Sequence, residues 1–248
     1  IDELLVIDDH SVDDTAAIAA GAGATVISSG DILPRFGAGS GKGEALWKSL
    51  YASAGDVICW CDADIGNYDN RFVLGPLGTL LTNPQVGFAK GFYRRPLRDD
   101  GEGGGRTTEL MARPLIAALF PHLSGLVQPL SGEFGGRRSL LEQVPFNQGY
   151  AVDLGLLIDL TAMFGVDTLA QVNLGTRIHR NRPLRDLGPQ SAAILGMALR
   201  RAGVDGVPDR LELMRPQMGD ATVEIGERPP LAQVRASSDE DVGGAIGG

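Results

Sequence analysis

Short apolar runs closed by acids alternate along this chain with stretches in which apolar residues recur every three or four positions. "ELLVID" (3–8) is such a run and predicts a short buried strand. "DDHSVDD" (8–14) follows, a cluster of turn and cap formers in which Ser11 or Asp13 is placed to cap an Ala-rich helix over 15–22. "ATVISS" (24–29) predicts a second strand, and strand, helix and strand at this spacing make a βαβ unit with a parallel pair. Residues 37–53 open as a glycine loop and become a helix, with Ala45, Leu46, Ser49 and Leu50 at helical spacing. "DVICWCDADI" (56–65) predicts a third strand, 72–84 a helix ending near Asn83, and 86–96 another strand. Residues 99–121 pass from a glycine loop into a helix, 152–165 form a strongly apolar helix, and 169–181 begin as a strand. The last forty or so residues, rich in Pro, Gly and acids, predict a poorly packed tail. The alternation gives an α/β chain without visible internal repeats.

Composition narrows the function classes. The 248 residues are 43% hydrophobic and 21% charged, an ordinary globular balance with ample material for a core. No run of about 18 apolar residues exists, so no membrane span is expected. No charged-then-apolar leader opens the sequence, and the expected cytoplasmic location rests instead on its two cysteines. The net charge of −9 argues against binding a nucleic-acid backbone, but a local Arg/Lys cluster can still hold an anionic substrate. Cys59 and Cys61 would lie side by side on one strand face, poorly placed for a disulfide, and read as reduced buried thiols.

Several stretches carry candidate chemistry, each with a plainer alternative. Asp62 and Asp64, separated by Ala63, close a buried strand where open parallel sheets place their ligands. Two hard carboxylates there suit Mg²⁺ or Mn²⁺, or simply mark a polar turn. "GSGKGEAL" resembles a phosphate cradle, but Lys42 is followed by Gly43 and Glu44, so the Walker A pattern fails; a Lys at a helix mouth can still hold phosphate. "GGGRTTEL" offers backbone N–H groups, Arg106 and two hydroxyls before a helix, suited to a small phosphorylated or carboxylated ligand or to plain helix capping. "RIHRNRP" gathers Arg177, His179 and Asn181 after an apolar strand; His binds divalent metals and clustered Arg neutralises phosphate. Asp153 interrupts an apolar run, either as a helix cap or as a partnered functional acid.

Taken in order, "LLVIDDHSVDDT", "GKGEALW", "DAD", "GFYRRPL", "GGGRTTEL", "QPLSGE", "GYAVDLGLLID" and "QVNLGTRIHRNRPL" resemble the glucosyl-3-phosphoglycerate synthases and the related mannosyl-3-phosphoglycerate synthases, from residue 1 to about Gly203. The resemblance implies an α/β chain with the GT-A nucleotide-diphospho-sugar transferase fold, a mainly parallel central sheet flanked by helices. A transferase domain would span 1–203 and a C-terminal extension or tail 204–248, with a family strand expected before residue 1 absent. It implies a retaining enzyme that moves a hexose from a nucleotide sugar to the 2-hydroxyl of 3-phosphoglycerate in compatible-solute synthesis, with a divalent metal (Mg²⁺ or Mn²⁺), and a homodimer. Carried over by position, Asp64 and His179 would bind the metal. Ser11, Lys42, Asp62, Ala63, Asp64 and Asp153 would bind the donor, and Gly105, Arg106, Thr108 and Asn181 the acceptor. Asp153, Arg177 and Leu130 of "QPLSGE" would form the catalytic group. The family's glucosyl members usually carry Glu at the position of Asp153 and Asp-Ser-Asp where this chain has Asp-Ala-Asp. The shorter carboxylate would accommodate the axial 2-hydroxyl of mannose, so GDP-mannose is the favoured donor, with UDP- or GDP-glucose as the alternative. A nucleotide-sugar-binding protein without turnover is the competing class, and it would have no need of an acceptor site.

Overall fold

A computed structural model describes residues 1–39, 41–96, 105–178 and 183–243. The N-terminal βαβ unit is present: β1 (Leu5–Asp8) and β2 (Thr25–Ser28) pair in parallel around α1 (Thr15–Gly21) and form their own two-stranded sheet. Neither proposed residue is the cap: Asp14 holds the N-cap position without a side-chain cap bond, and Asp13 makes the turn before it, its Oδ1 accepting from the Thr15 N–H at 3.1 Å. Next come α2 (Lys42–Ala52), β3 (Val57–Trp60), α3 (Arg71–Thr82), β4 (Phe88–Arg94), α4 (Arg113–Leu119), β5 (Phe134–Arg137) and α5 (Arg138–Leu141). The chain continues through β6 (Phe146–Asn147), α6 (Val152–Phe164), β7 (Leu169–Thr176), α7 (Leu184–Arg201), β8 (Arg210–Leu213), β9 (Ala221–Glu224), β10 (Glu227–Arg228) and α8 (Leu231–Gly243).

The main sheet has the order β3-β5-β4-β7. β4 and β7 run parallel, as the alternation predicts, but β5 is antiparallel to both its neighbours. The expected α/β architecture with a mainly parallel sheet stands: β3, β4 and β7 run the same way, and β5 is the one antiparallel strand of this sheet. β5 escapes a pattern search because "FGGR" lacks the apolar run or alternation that marks a strand.

Helix α6 is apolar all round and lies in the core, with Val152, Leu154, Leu156, Leu157 and Leu160 fully buried. Each such side chain contributes roughly 1.5–3 kcal/mol of transfer energy, which pins the helix and the acid in its first turn. Helix α2 crosses β6 closely enough that a Cβ on Gly43 would lie 1.8 Å from the Asn147 carbonyl oxygen, so only glycine fits there.

The expected loose tail is also corrected. β10 pairs with β6, Leu231 and Val234 enter the core, and the Trp47 indole donates to the Pro229 carbonyl at 2.9 Å. Arg228 forks onto the fully buried Glu44 at 2.6 and 3.0 Å. A few well-spaced apolar residues and one arginine suffice to dock this segment, a signal that bulk composition averages away.

Candidate active site

A cleft of about 520 Å³ opens where β3 and β7 end and where α2 and α6 begin. Asp62, Ala63 and Asp64 follow β3, Arg177 follows β7, Lys42 is the first residue of α2, and Asp153 lies in the first turn of α6. Two helix N-termini therefore face one cavity, an arrangement that favours an anionic ligand. Gly105, Arg106 and Thr108 form another wall, with Thr108 opening a π-helical turn (Thr108–Ala112), and Leu130 a further one.

The polar groups on the cleft floor are linked. Lys42 Nζ lies 3.0 Å from Asp153 Oδ1 and 3.3 Å from Asp62 Oδ1. Arg177 Nη2 reaches Asp62 Oδ2 at 3.0 Å and Asp64 Oδ1 at 2.8 Å. Behind them, buried Lys90 donates to the Asp153 carbonyl at 3.3 Å and sits 4.3 Å above the Phe134 ring. Burial alone would lower the Lys42 ammonium, but the Asp153 and Asp62 carboxylates outweigh it and hold it above its ordinary value. Burial likewise pushes Asp62 up, and Lys42 with Arg177 brings it below the usual carboxylate range. Lys90, with only a loose ion pair, is pulled by burial from 10.5 down to about 8. Gly132 belongs to this packing, because a Cβ there would meet Asp62 Oδ2 at 2.0 Å and push the carboxylate aside.

Of the residues singled out in the sequence, Lys42, Asp62, Ala63, Asp64, Gly105, Arg106, Thr108, Leu130, Asp153 and Arg177 all line this one cleft. Ser11 does not, and the expectation that it does is corrected. His10 takes a left-handed turn (φ 63°) after β1 and leaves Ser11 exposed outside the cleft. Asp9 is there instead, its Oδ2 accepting from the Gly41 N–H at 2.8 Å and so fixing the loop before Lys42. His179 and Asn181 lie outside the described residues. Asp9, Lys90 and Glu133 were not singled out, although Lys90 inside an apolar strand and Glu133 beside a buried phenylalanine are the same kind of signal as Asp153. Cys59 and Cys61 are free thiols, pushed up by burial to about 11 and about 12, and therefore weakly nucleophilic.

Among the described residues no three His, Cys, Asp or Glu side chains gather as a ready metal site. The donor chemistry nevertheless fits a hard divalent cation. Asp62 and Asp64 each direct one oxygen at a single positive nitrogen, so two carboxylates already converge on one point beside the cleft.

Comparison with known proteins places this geometry. The model of the family described as Glycosyl transferase family 2 matches residues 1–147. The chain is 45% identical over 244 residues to a glucosyl-3-phosphoglycerate synthase of Mycolicibacterium smegmatis, covering 95% of this chain and 80% of that protein. It is 48% identical over 205 residues to one of Petrotoga mobilis, covering 81% of this chain and 63% of that protein. It also superposes, with a TM-score of 0.86 and 43% identity, on the Mycobacterium tuberculosis glucosyl-3-phosphoglycerate synthase solved with Mn²⁺, UDP-glucose and phosphoglyceric acid, covering 94% of this chain and 80% of that one.

Proposed function

This chain belongs to glycosyl transferase family 2 and, within it, to the glucosyl-3-phosphoglycerate synthase family, and on that premise we propose that it transfers glucose from UDP-glucose to the 2-hydroxyl of 3-phosphoglycerate. The observation that carries the proposal is the meeting in one cleft of the Asp62–Asp64 pair, the Lys42–Asp153 pair and the Gly105–Arg106–Thr108 wall. The preference for mannose that follows from the length of Asp153 yields to the glucosyl alternative, because the similar relatives carry the glucosyl name at 43–48% identity.

Each residue has a role in that reaction. Lys42, Arg177 and the N-terminus of α2 take the diphosphate, and Asp153 accepts hydrogen bonds from sugar hydroxyls. Arg106, with the Gly105 backbone and the Thr108 hydroxyl, takes the acceptor's phosphate or carboxylate. Asp64, with His179, would hold a divalent metal, with Asp62 beside it on the donor, and that metal would neutralise charge on the diphosphate. Positively charged groups aimed at the departing diphosphate supply the main rate term, because negative charge develops there as the sugar–phosphate bond breaks.

No carboxylate in the cleft is assigned as nucleophile; Asp153 is committed to Lys42. The acceptor hydroxyl therefore attacks on the face the diphosphate leaves, its proton passing to the leaving phosphate oxygen. Product formed from UDP-glucose, 3-phosphoglycerate and Mn²⁺ tests this by NMR of the anomeric proton. Retained α configuration supports the scheme, and inversion rejects it. Residues 1–203 are assigned to the transferase unit and those from 204 to an extension packed on it, and the assembly is proposed to be a homodimer.

A further inference from the structure

Arg177 is held more tightly than a group merely awaiting a substrate. Its side chain is 4% exposed, and its Nη2 occupies the point on which Asp62 Oδ2 and Asp64 Oδ1 converge, at 3.0 and 2.8 Å. In the function proposed above, Asp64 is a metal ligand, so the guanidinium sits where a divalent cation would reach its carboxylate. A guanidinium and a metal ion cannot share the position: like charges a few ångströms apart repel strongly in a partly buried site.

The other side of the guanidinium shows where it can go. Arg177 Nε lies 3.2 Å from Oε1 of Glu133, whose side chain is fully buried. The pair is close but poorly aligned, so the Nε and the Glu133 carboxylate do not complete a hydrogen bond with each other, and the Tyr93 hydroxyl is the other group facing that carboxylate. A buried Nε left in that state is costly, and a small rotation of the guanidinium would correct it. The Tyr93 ring, 5.6 Å from the guanidinium carbon, flanks the arginine. Glu133 itself is fixed at the head of β5, where its carbonyl accepts from the Gly91 N–H at 2.8 Å.

We propose that Arg177 fills the metal position while the cleft is empty, and that Glu133 is the positioning residue that retains Arg177 when the metal displaces it from Asp64. The two aspartates are then never left without a cation. The displaced arginine completes its hydrogen bond to Glu133 and keeps its remaining N–H groups beside the diphosphate. The proposal rests on the functional reading above, which makes Asp64 a metal ligand.

A double-mutant cycle tests it, with Mn²⁺ binding to the full chain read from the free-ion EPR signal and melting curves confirming that each variant folds. Arg177→Met removes the competitor and should tighten Mn²⁺ about tenfold, while Glu133→Gln removes the retaining partner and should weaken it about tenfold. In the Arg177→Met background, Glu133→Gln should change the affinity by less than about threefold, because its effect acts through the arginine. Glu133→Asp, which keeps the charge, should restore most of the affinity. Equal effects of Glu133→Gln in both backgrounds, or weaker Mn²⁺ binding by Arg177→Met, overturns the proposal. The Arg177→Met result decides alone if Glu133→Gln does not fold. No Mn²⁺ binding by the unaltered chain, with or without UDP-glucose, overturns the functional reading itself.

Discussion

Replacing Lys90 with methionine should make the protein more stable and less active. Lys90 is 2% exposed, and among the described residues its ammonium donates one hydrogen bond, to the Asp153 carbonyl at 3.3 Å, with a carboxylate oxygen 4.0 Å away. Burial, opposed by Asp153, brings it from 10.5 to about 8. At about 1.4 kcal/mol per pH unit, keeping the charge at neutral pH costs the fold about 3 kcal/mol. Methionine has similar length and keeps the contact with Phe134, while losing a hydrogen bond worth about 1 kcal/mol. The net expectation is a gain of about 2 kcal/mol at pH 7.

The sign sets the pH window. Because the folded value is depressed, the unfolded chain binds more protons between about 8 and 10.5, so the native protein gains stability as pH rises through that range. Urea unfolding of both proteins at pH 7 and pH 10 measures this. The advantage of Lys90→Met should be largest at pH 7 and shrink by pH 10. Transfer should fall at least about tenfold, since Asp153 keeps only one of its two cations. A variant less stable than the parent at pH 7, or one with the parent's pH slope, refutes the reasoning.

Other substitutions separate the roles within the cleft. Asp153→Asn should lower kcat/KM for the donor about a hundredfold with the acceptor KM unchanged, measured by initial rates with each substrate varied in turn. Arg106→Ala should raise the acceptor KM at least about tenfold and leave the donor KM in place, as the loss of one charge-assisted contact requires. Gly43→Ala should cost about 2–3 kcal/mol in thermal melting, because its Cβ meets the Asn147 carbonyl and α2 must move away from β6.

The parts of this fold that were legible in the sequence are those with a strong local period. The βαβ opening, the helix bearing Lys42, β3 with its two aspartates and the apolar α6 all lie where spacing puts them. β5 and the segment after residue 203 were not legible, since the first is a glycine-rich strand paired on both sides and the second docks through long-range contacts such as Arg228 with Glu44. The site follows the same rule. Charged residues at element ends stood out against apolar neighbours and ten of them or their neighbours share one cleft, whereas Ser11 was misplaced because the turn at His10 depends on a positive φ that no spacing reveals. Lys90 and Glu133 were passed over because each is a single charge inside a strand or at its start, with partners 63 and 44 positions away in Asp153 and Arg177.

A donor panel tests the central claim most directly. UDP-glucose, GDP-glucose and GDP-mannose would each be offered with 3-phosphoglycerate and Mn²⁺, with product mass and sugar identity recorded and kcat/KM compared. The account predicts glucosyl-3-phosphoglycerate, formed most efficiently from UDP-glucose. A preference for GDP-mannose would return the specificity to the length of Asp153, and no transfer from any donor would contradict the account as a whole.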